Sequence, residues 1–252
     1  MCLRHKVCRL QKGMVNNMTK KHTILTAINS KYIHSNLAVY CLRAYAKPYI
    51  DEVEIAEYTI NQQVDDILMS LYQKHPDILC FSCYIWNIAF VEELAEEFHK
   101  LRPEVPVWVG GPEVSYETES FLREHPQITG VMIGEGEKTF CELAEYYAGK
   151  SRRDKEKQKI QETQRTGEGK STEERSKPGE IPGIAYRNGD EIIFTAPREM
   201  LDLSDIPFCY DKAGDFKNRI IYYESSRGCP FFLQLLSFLS GKSSFASGMR
   251  SL

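Results

Sequence analysis

Residues 77–101 read DILCFSCYIWNIAFVEELAEEFHKL. The run Ile78–Tyr84 is apolar, β-branched and aromatic, and of the length of a buried strand. Phe90, Leu94, Phe98 and Leu101 then recur at spacings of three and four, the stripe of an amphipathic helix. The same strand-then-helix unit repeats on both sides. Further strand patterns lie at Thr23–Ile28, Val53–Tyr58, Val105–Val109 and Gly130–Ile133. Helical faces are formed by Leu37, Tyr40, Cys41 and Ala44, and by Val64, Ile67, Leu68 and Leu71. A weaker helix covers roughly 115–124, and Lys138–Tyr147 closes the series. Five such units predict an α/β fold, a five-stranded parallel sheet with helices on both faces. Right-handed crossovers favour the flavodoxin-like strand order 2-1-3-4-5.

Cys80 and Cys83 form a C-x-x-C inside the apolar run. Residues three apart on a strand face opposite sides of the sheet, so the pair is read as two buried structural thiols, neither bridged nor sharing a metal. The eight cysteines are scattered and no signal peptide precedes them, which predicts a reduced, cytoplasmic setting. A net charge of −3 gives no electrostatic case for nucleic acid or an anionic membrane. No apolar run reaches the roughly 18 residues of a membrane helix.

The chain divides by composition. Residues 1–22 are basic and are read as a disordered extension or a misassigned start, ahead of a domain at 23–149. Residues 150–180 are charged and almost free of apolar side chains, a linker unable to offset its ordering entropy. Residues 181–218 hold a hairpin, in which Ile184–Tyr186 and Ile192–Thr195 flank Asn188-Gly189, and a turn-rich connector, Leu203–Pro207. Residues 219–252 open with a strand at Arg219–Glu224.

In an open parallel sheet, ligands bind at the carboxyl ends of the strands, near the point where strand order reverses. Four loops meet there: Asn29-Ser30-Lys31-Tyr32-Ile33-His34-Ser35; Ser82-Cys83-Tyr84 with Trp86-Asn87 beyond; Gly110-Gly111-Pro112-Glu113; and Gly134-Glu135-Gly136-Glu137. The glycines allow close backbone approach to a ligand, but neither a dinucleotide-binding fingerprint nor a P-loop is present.

The stretches INSKYIHSNLA, DILCFSCYIWN, VWVGGPEVS and GVMIGEGE, followed by IPGIAYRNG, LSDIPF and YYESSRGCP, resemble the cobalamin-binding domain of cobalamin-dependent radical S-adenosylmethionine (radical SAM) proteins over about residues 23–231. The resemblance implies a corrinoid at the carboxyl ends of the strands. Its cofactor-binding residues would be Asn29, Ser30, Ile33, His34, Ser82, Tyr84, Gly110, Gly111, Pro112, Glu113, Gly134, Glu135, Gly136 and Glu137. Cobalamin-dependent mutases ligate cobalt with the histidine of a D-x-H-x-x-G loop. The first loop here reads N-S-K-Y-I-H-S-N, so His34 lacks that context and is also read as a residue near the helix start, with Ser35 as its cap. A cofactor-free interaction or signalling module and a flavin-binding domain are the alternatives that the fold leaves open.

The family also implies a barrel holding a [4Fe–4S] cluster on a C-x₃-C-x₂-C loop. Cys229 opens that motif, but Leu233 and Leu236 occupy the other two positions. The string Phe232–Ser237 can be encoded as TTC CTG CAG CTA TTG TCN. Read one base later, it gives Ser-Cys-Ser-Tyr-Cys, which restores both cysteines. This supports the hypothesis of a frameshift near Phe231–Phe232 that leaves the barrel missing, testable on the genomic sequence: no barrel-like reading in a neighbouring frame would refute it. The expectation is a corrinoid-binding chain that neither holds the cluster nor cleaves S-adenosylmethionine, with Cys229 the remnant of the metal site.

Overall fold

All five parallel strands form, and they pair in the expected order. The structure is a computed structural model and describes residues 21–149, 178–210 and 213–227. Strands β1 (Thr23–Asn29), β2 (Val53–Thr59), β3 (Ile78–Ser82), β4 (Val107–Gly110) and β5 (Gly130–Met132) run parallel in the order β2-β1-β3-β4-β5. Every residue of β1 and β3 is buried, as expected of inner parallel strands covered on both faces.

The helices divide between the two faces. Helices α2 (Val64–Gln73), α3 (Ile88–Leu101), α4 (Pro112–Ser115) and α5 (Thr118–Glu124) cover one. There Ile67, Leu71, Leu94, Phe98 and Leu122 pack on Ile24, Phe81 and Val109. Helix α1 (Leu37–Tyr45) and helix α6 (137–149) cover the other, where Val39, Phe140 and Leu143 meet Leu25, Cys80, Trp108 and Met132. The Trp108 indole donates to Tyr147 Oη at 2.9 Å and so fastens α6 to β4.

Two helical faces differ from the periodicity reading. Leu101, the last residue of α3, is exposed, and the buried stripe is Val91, Leu94, Ala95 and Phe98. In α1 the buried residues are Val39, Cys41 and Ala44, with Leu37 and Tyr40 only half-buried at the helix start.

The Asn188-Gly189 hairpin joins the same sheet. Strand β6 (Ile184–Asn188) pairs antiparallel with β5, and β7 (Glu191–Phe194) pairs antiparallel with β6, giving seven strands. Gly130 permits this close approach: a Cβ there would lie 2.5 Å from the Trp108 ring and 2.6 Å from the Ala185 carbonyl oxygen.

Arg219–Glu224 is not a strand. A single parallel bridge, His34 to Ile220, is all the pairing it makes, because no second extended segment among the described residues lies beside it. Within the extension, Lys21 and His22 are held by Asp77 through contacts of 3.1 and 2.9 Å. Of the linker, Pro178–Glu180 forms a 3-10 turn. The rest of the expected extension and linker, the tail expected to be out of frame and Cys229 lie outside the described residues. Among those described, no helix is long and apolar enough to cross a membrane.

Candidate functional site

The first two of the four carboxyl-end loops are held by buried polar side chains, and the other two bend at glycines. In the first, Asn29 Nδ2 donates to the His34 carbonyl and to Glu57 Oε1, both at 3.0 Å. The same Glu57 oxygen accepts from the Asn36 amide at 3.0 Å, while its Oε2 accepts from Tyr40 Oη and Arg219 Nη1, both at 2.6 Å. Burial pushes the Glu57 carboxyl up, but the Arg219, Tyr40, Asn29 and Asn36 donors outweigh it and hold the group below the usual carboxylate range. The loop therefore curls around a buried carboxylate supplied by β2. The residue preceding α1 is Asn36, not Ser35, and its side chain caps no backbone amide. Ser35 Oγ is occupied elsewhere, donating to the Ile220 carbonyl at 2.8 Å.

The second loop turns on Asn87, which is almost fully buried. Its Oδ1 accepts from the Tyr84 amide at 2.7 Å, and its Nδ2 donates to the carbonyls of Ser82 at 2.9 Å and Ile28 at 3.1 Å. One side chain thus closes the loop and ties the ends of β1 and β3 together. The third loop bends at Gly111, whose φ is +124°, and the fourth at Gly134, with φ +75°.

Between the sheet and α1 these loops leave a cavity of about 100 Å³ that opens at the carboxyl end. Its polar and glycine lining is Ser82, Tyr84, Gly110, Gly111, Gly134, Gly136 and Glu137, all among the residues expected from the sequence. The sequence reading missed its apolar walls: Leu25, Cys80 and Met132 from the sheet, and Ala38, Val39 and Leu42 from α1. Those residues carry an ordinary core pattern, so nothing local distinguishes a cavity wall from packed interior. Gly110 borders this space beside Met132, another of its walls: a Cβ there would lie 3.3 Å from the Met132 carbonyl oxygen and 3.4 Å from its Cβ. Ser82 Oγ accepts from Asn36 Nδ2 at 3.2 Å, which leaves the Asn36 carboxamide oxygen buried without a hydrogen-bond partner.

The remaining expected residues lie outside the cavity. Asn29 belongs to the Glu57 network. Ser30 is half-buried, and Ile33, Pro112 and Glu113 are exposed at the rim. Glu135 accepts from the Leu201 amide at 2.7 Å and faces the connector. His34 points away from the cavity: its Nδ1 is hydrogen-bonded to Tyr222 Oη, and the two rings stack with centroids 5.8 Å apart. Larger, open depressions of about 740 and 780 Å³ lie beyond Gly134 and at the amino ends of the strands. The first shares only Gly134 and Glu135 with the four loops and the second shares none, so neither gathers them.

The C-x-x-C thiols are both buried and free, Cys80 in the core beneath α1 and α6, Cys83 in the core beneath α2 and α3. Burial pushes the Cys80 thiol up to about 12 and raises Cys83 as well. Such protonated thiols are neither nucleophiles nor metal ligands. Among the described residues no three His, Cys, Asp or Glu side chains converge as a metal site requires.

Comparison with known proteins matches residues 24–144 to the B12 binding domain family. The chain is 34% identical over 108 residues to the cobalamin-dependent radical SAM methyltransferase TokK of Streptomyces tokunonensis, covering 40% of this chain and 15% of that protein. It is 37% identical over 68 residues to the 2-(S-pantetheinyl)-carbapenam-3-carboxylate methyltransferase of Streptantibioticus cattleyicolor, covering 27% of this chain and 10% of that protein. The apo cobalamin-dependent S-adenosylmethionine radical enzyme OxsB aligns with a TM-score of 0.49 at 17% identity, over 73% of this chain and 23% of that one. A cobalamin-binding protein from Desulfitobacterium hafniense DCB-2 aligns with a TM-score of 0.33 at 19% identity, over 42% of this chain and 50% of that one. The chain thus spans a small fraction of the length of the curated relatives it matches.

Proposed function

We propose that this chain, whose residues 24–144 form a B12-binding domain, holds cobalamin at the carboxyl ends of its parallel strands and serves as the corrinoid module of a radical SAM methyltransferase. The observation that carries this reading is the small cavity at the carboxyl ends of the strands, bordered by Gly110 and Gly111. At about 100 Å³ it is far too small for a corrin macrocycle, but its apolar, glycine-edged walls suit a planar arm of the cofactor entering edge-on. The macrocycle would then rest outside, on the loops.

The donors fit such a ligand. Ser82 and Tyr84 line the cavity with hydroxyls that can hydrogen-bond the amide-rich periphery of a corrinoid. Tyr84 stacks on Trp86 with centroids 4.5 Å apart and rings nearly parallel, so an exposed aromatic plate adjoins the opening. When bound, cobalamin supplies a cobalt centre able to accept and donate a methyl group. The protein's own part is to bind and orient it. His34 is not its cobalt ligand on this reading, because its ring is turned to Tyr222.

We further propose that the chain as given lacks turnover. Cys229 stands without cysteines at 233 and 236, and three thiolates are needed to hold the cluster. Anaerobic reconstitution with iron and sulfide should leave the protein without stoichiometric iron, and S-adenosylmethionine should survive reduction with dithionite. Cleavage to 5′-deoxyadenosine would refute this part.

The binding reading is tested by mixing the full chain with hydroxocobalamin or with FMN and recording the absorbance retained after gel filtration. Retained corrinoid and no flavin is expected, with corrinoid lost in Gly110→Leu while the circular dichroism is kept. Flavin retained in preference to corrinoid, or neither retained, refutes it.

A further inference from the structure

We propose that residues 219–227 form a strap that retains the corrinoid, with Arg219 and Arg227 as its positioning residues; the inference rests on the corrinoid reading above. The strap runs from the start of α1 to the start of α6, the two helices that cover the cavity's face of the sheet. At α1, the Ile220 amide donates to the Ile33 carbonyl at 2.6 Å, and the Ile220 carbonyl accepts from the Ser35 amide at 3.2 Å. Arg219 reinforces this end, donating through Nη1 to Glu57 and through Nη2 to the His34 carbonyl, both at 2.6 Å.

At α6, Arg227 grips Glu137 with both terminal guanidinium nitrogens, Nη2 to Oε1 at 2.7 Å and Nη1 to Oε2 at 3.3 Å. Glu224 holds the same guanidinium from the strap side at 2.7 Å. Glu137 is also a cavity-lining residue and is buried. One carboxylate is therefore both cavity wall and strap anchor.

The base of the strap is packed as well. Tyr210 and Phe216 are buried against Tyr40 of α1, with ring centroids 4.8 to 5.4 Å apart, and Tyr210 Oη donates to the Tyr222 carbonyl at 2.8 Å. Both ion pairs are largely withdrawn from water, with side-chain exposures of 15% and 10% for Arg219–Glu57 and 21% and 7% for Arg227–Glu137. They are bidentate or networked, unlike an isolated surface pair that water competes away. The strap joins the loop ahead of α1 to the first residue of α6, the two helix starts beside the cavity's opening, so on this proposal a ligand arm leaving the cavity parts them and breaks a clamp. The clamps thus slow exchange without touching the ligand. By linkage, an occupied cavity must also stabilise the docked strap.

The test loads the full chain with hydroxocobalamin and follows its displacement by excess cyanocobalamin through absorbance. In parallel, chymotrypsin cleavage at the exposed Tyr222 and Tyr223 is timed for the free and loaded protein. Arg219→Gln and Arg227→Gln are each expected to release corrinoid at least tenfold faster, with Arg227→Lys intermediate. Loading is expected to slow cleavage of the wild type several-fold. The two arginines anchor opposite ends, so a folding defect in one variant leaves the other to decide. Variants that release at the wild-type rate, or loading that leaves cleavage unchanged, overturn the strap alone. A wild type that retains no corrinoid overturns the binding reading and the strap with it.

Discussion

The Cβ that Gly111 lacks would stand 2.3 Å from the carbonyl oxygen of Cys83 and 3.1 Å from the Cys83 nitrogen. The obstacle is backbone at the end of β3, which cannot rotate away, and the φ of +124° is one that side chains rarely adopt. Gly134 has a φ of +75° but nothing within 4 Å of its missing Cβ. Gly134→Ala should therefore cost about 1 kcal/mol, the ordinary penalty of a left-handed residue. Gly111→Ala should cost about 3 kcal/mol or more, since strain and steric overlap add. Urea denaturation of the two variants measures the difference. Equal losses would mean that the approach to Cys83 is not what requires glycine.

Asn87 offers a sharper test of how the second loop is held. Its carboxamide accepts one hydrogen bond and donates two, all to buried backbone groups. Asn87→Ala leaves those groups unpaired and should cost about 3 kcal/mol. Asn87→Asp keeps the shape but turns an oxygen toward the Ile28 and Ser82 carbonyls, so it should be no more stable than alanine. An aspartate variant of wild-type stability would show that the donors to β1 and β3 are dispensable.

The parallel sheet was legible because its strands are continuous apolar runs and its helices keep their period, as in residues 77–101. The C-x-x-C reading followed from strand alternation alone, and Cys80 and Cys83 do face different cores. The glycines and acidic residues around the cavity were visible as strand-end punctuation. Its apolar walls were not, because Leu25, Val39 and Met132 look like any core residue until a neighbour fails to fill the space beside them. The contacts of longest range were hidden as well. Arg219 and Arg227 lie 162 and 90 residues from Glu57 and Glu137, and no local pattern announces such a pair. Arg219–Glu224 carries a strand's composition, but a strand needs neighbours, and here only the His34 bridge provides one.

Substitution of His34 separates a ligand from a scaffold residue. Its ring lies against Tyr222 and outside the cavity lining. His34→Ala should leave the absorbance spectrum of bound hydroxocobalamin unchanged, and the electron paramagnetic resonance of the cobalt(II) form should show no loss of nitrogen coupling. Chymotrypsin cleavage at Tyr222 should quicken, because the stacked partner is gone. A spectral change to a different axial coordination would make His34 a cobalt ligand after all.

Acid should weaken the strap's first anchor. Glu57 is held below its ordinary value of 4.5, with burial opposing and the Arg219, Tyr40, Asn29 and Asn36 hydrogen bonds prevailing. A carboxylate whose folded pKa is depressed contributes stability above its unfolded pKa and loses it as pH falls through the folded one. The Arg219–Glu57 clamp is therefore fully effective at neutral pH and weakens as the pH drops below 4.5. Glu57→Gln removes that titration. It should be less stable than wild type near pH 7, yet lose less stability on acidification from about pH 5 to about pH 3, a slope reduced by up to one proton. Urea midpoints across that range for the two proteins, with other carboxylates common to both, isolate the Glu57 share. Parallel pH profiles would mean that Glu57 titrates alike in the folded and unfolded chain, and that the buried network around it is not what anchors the strap.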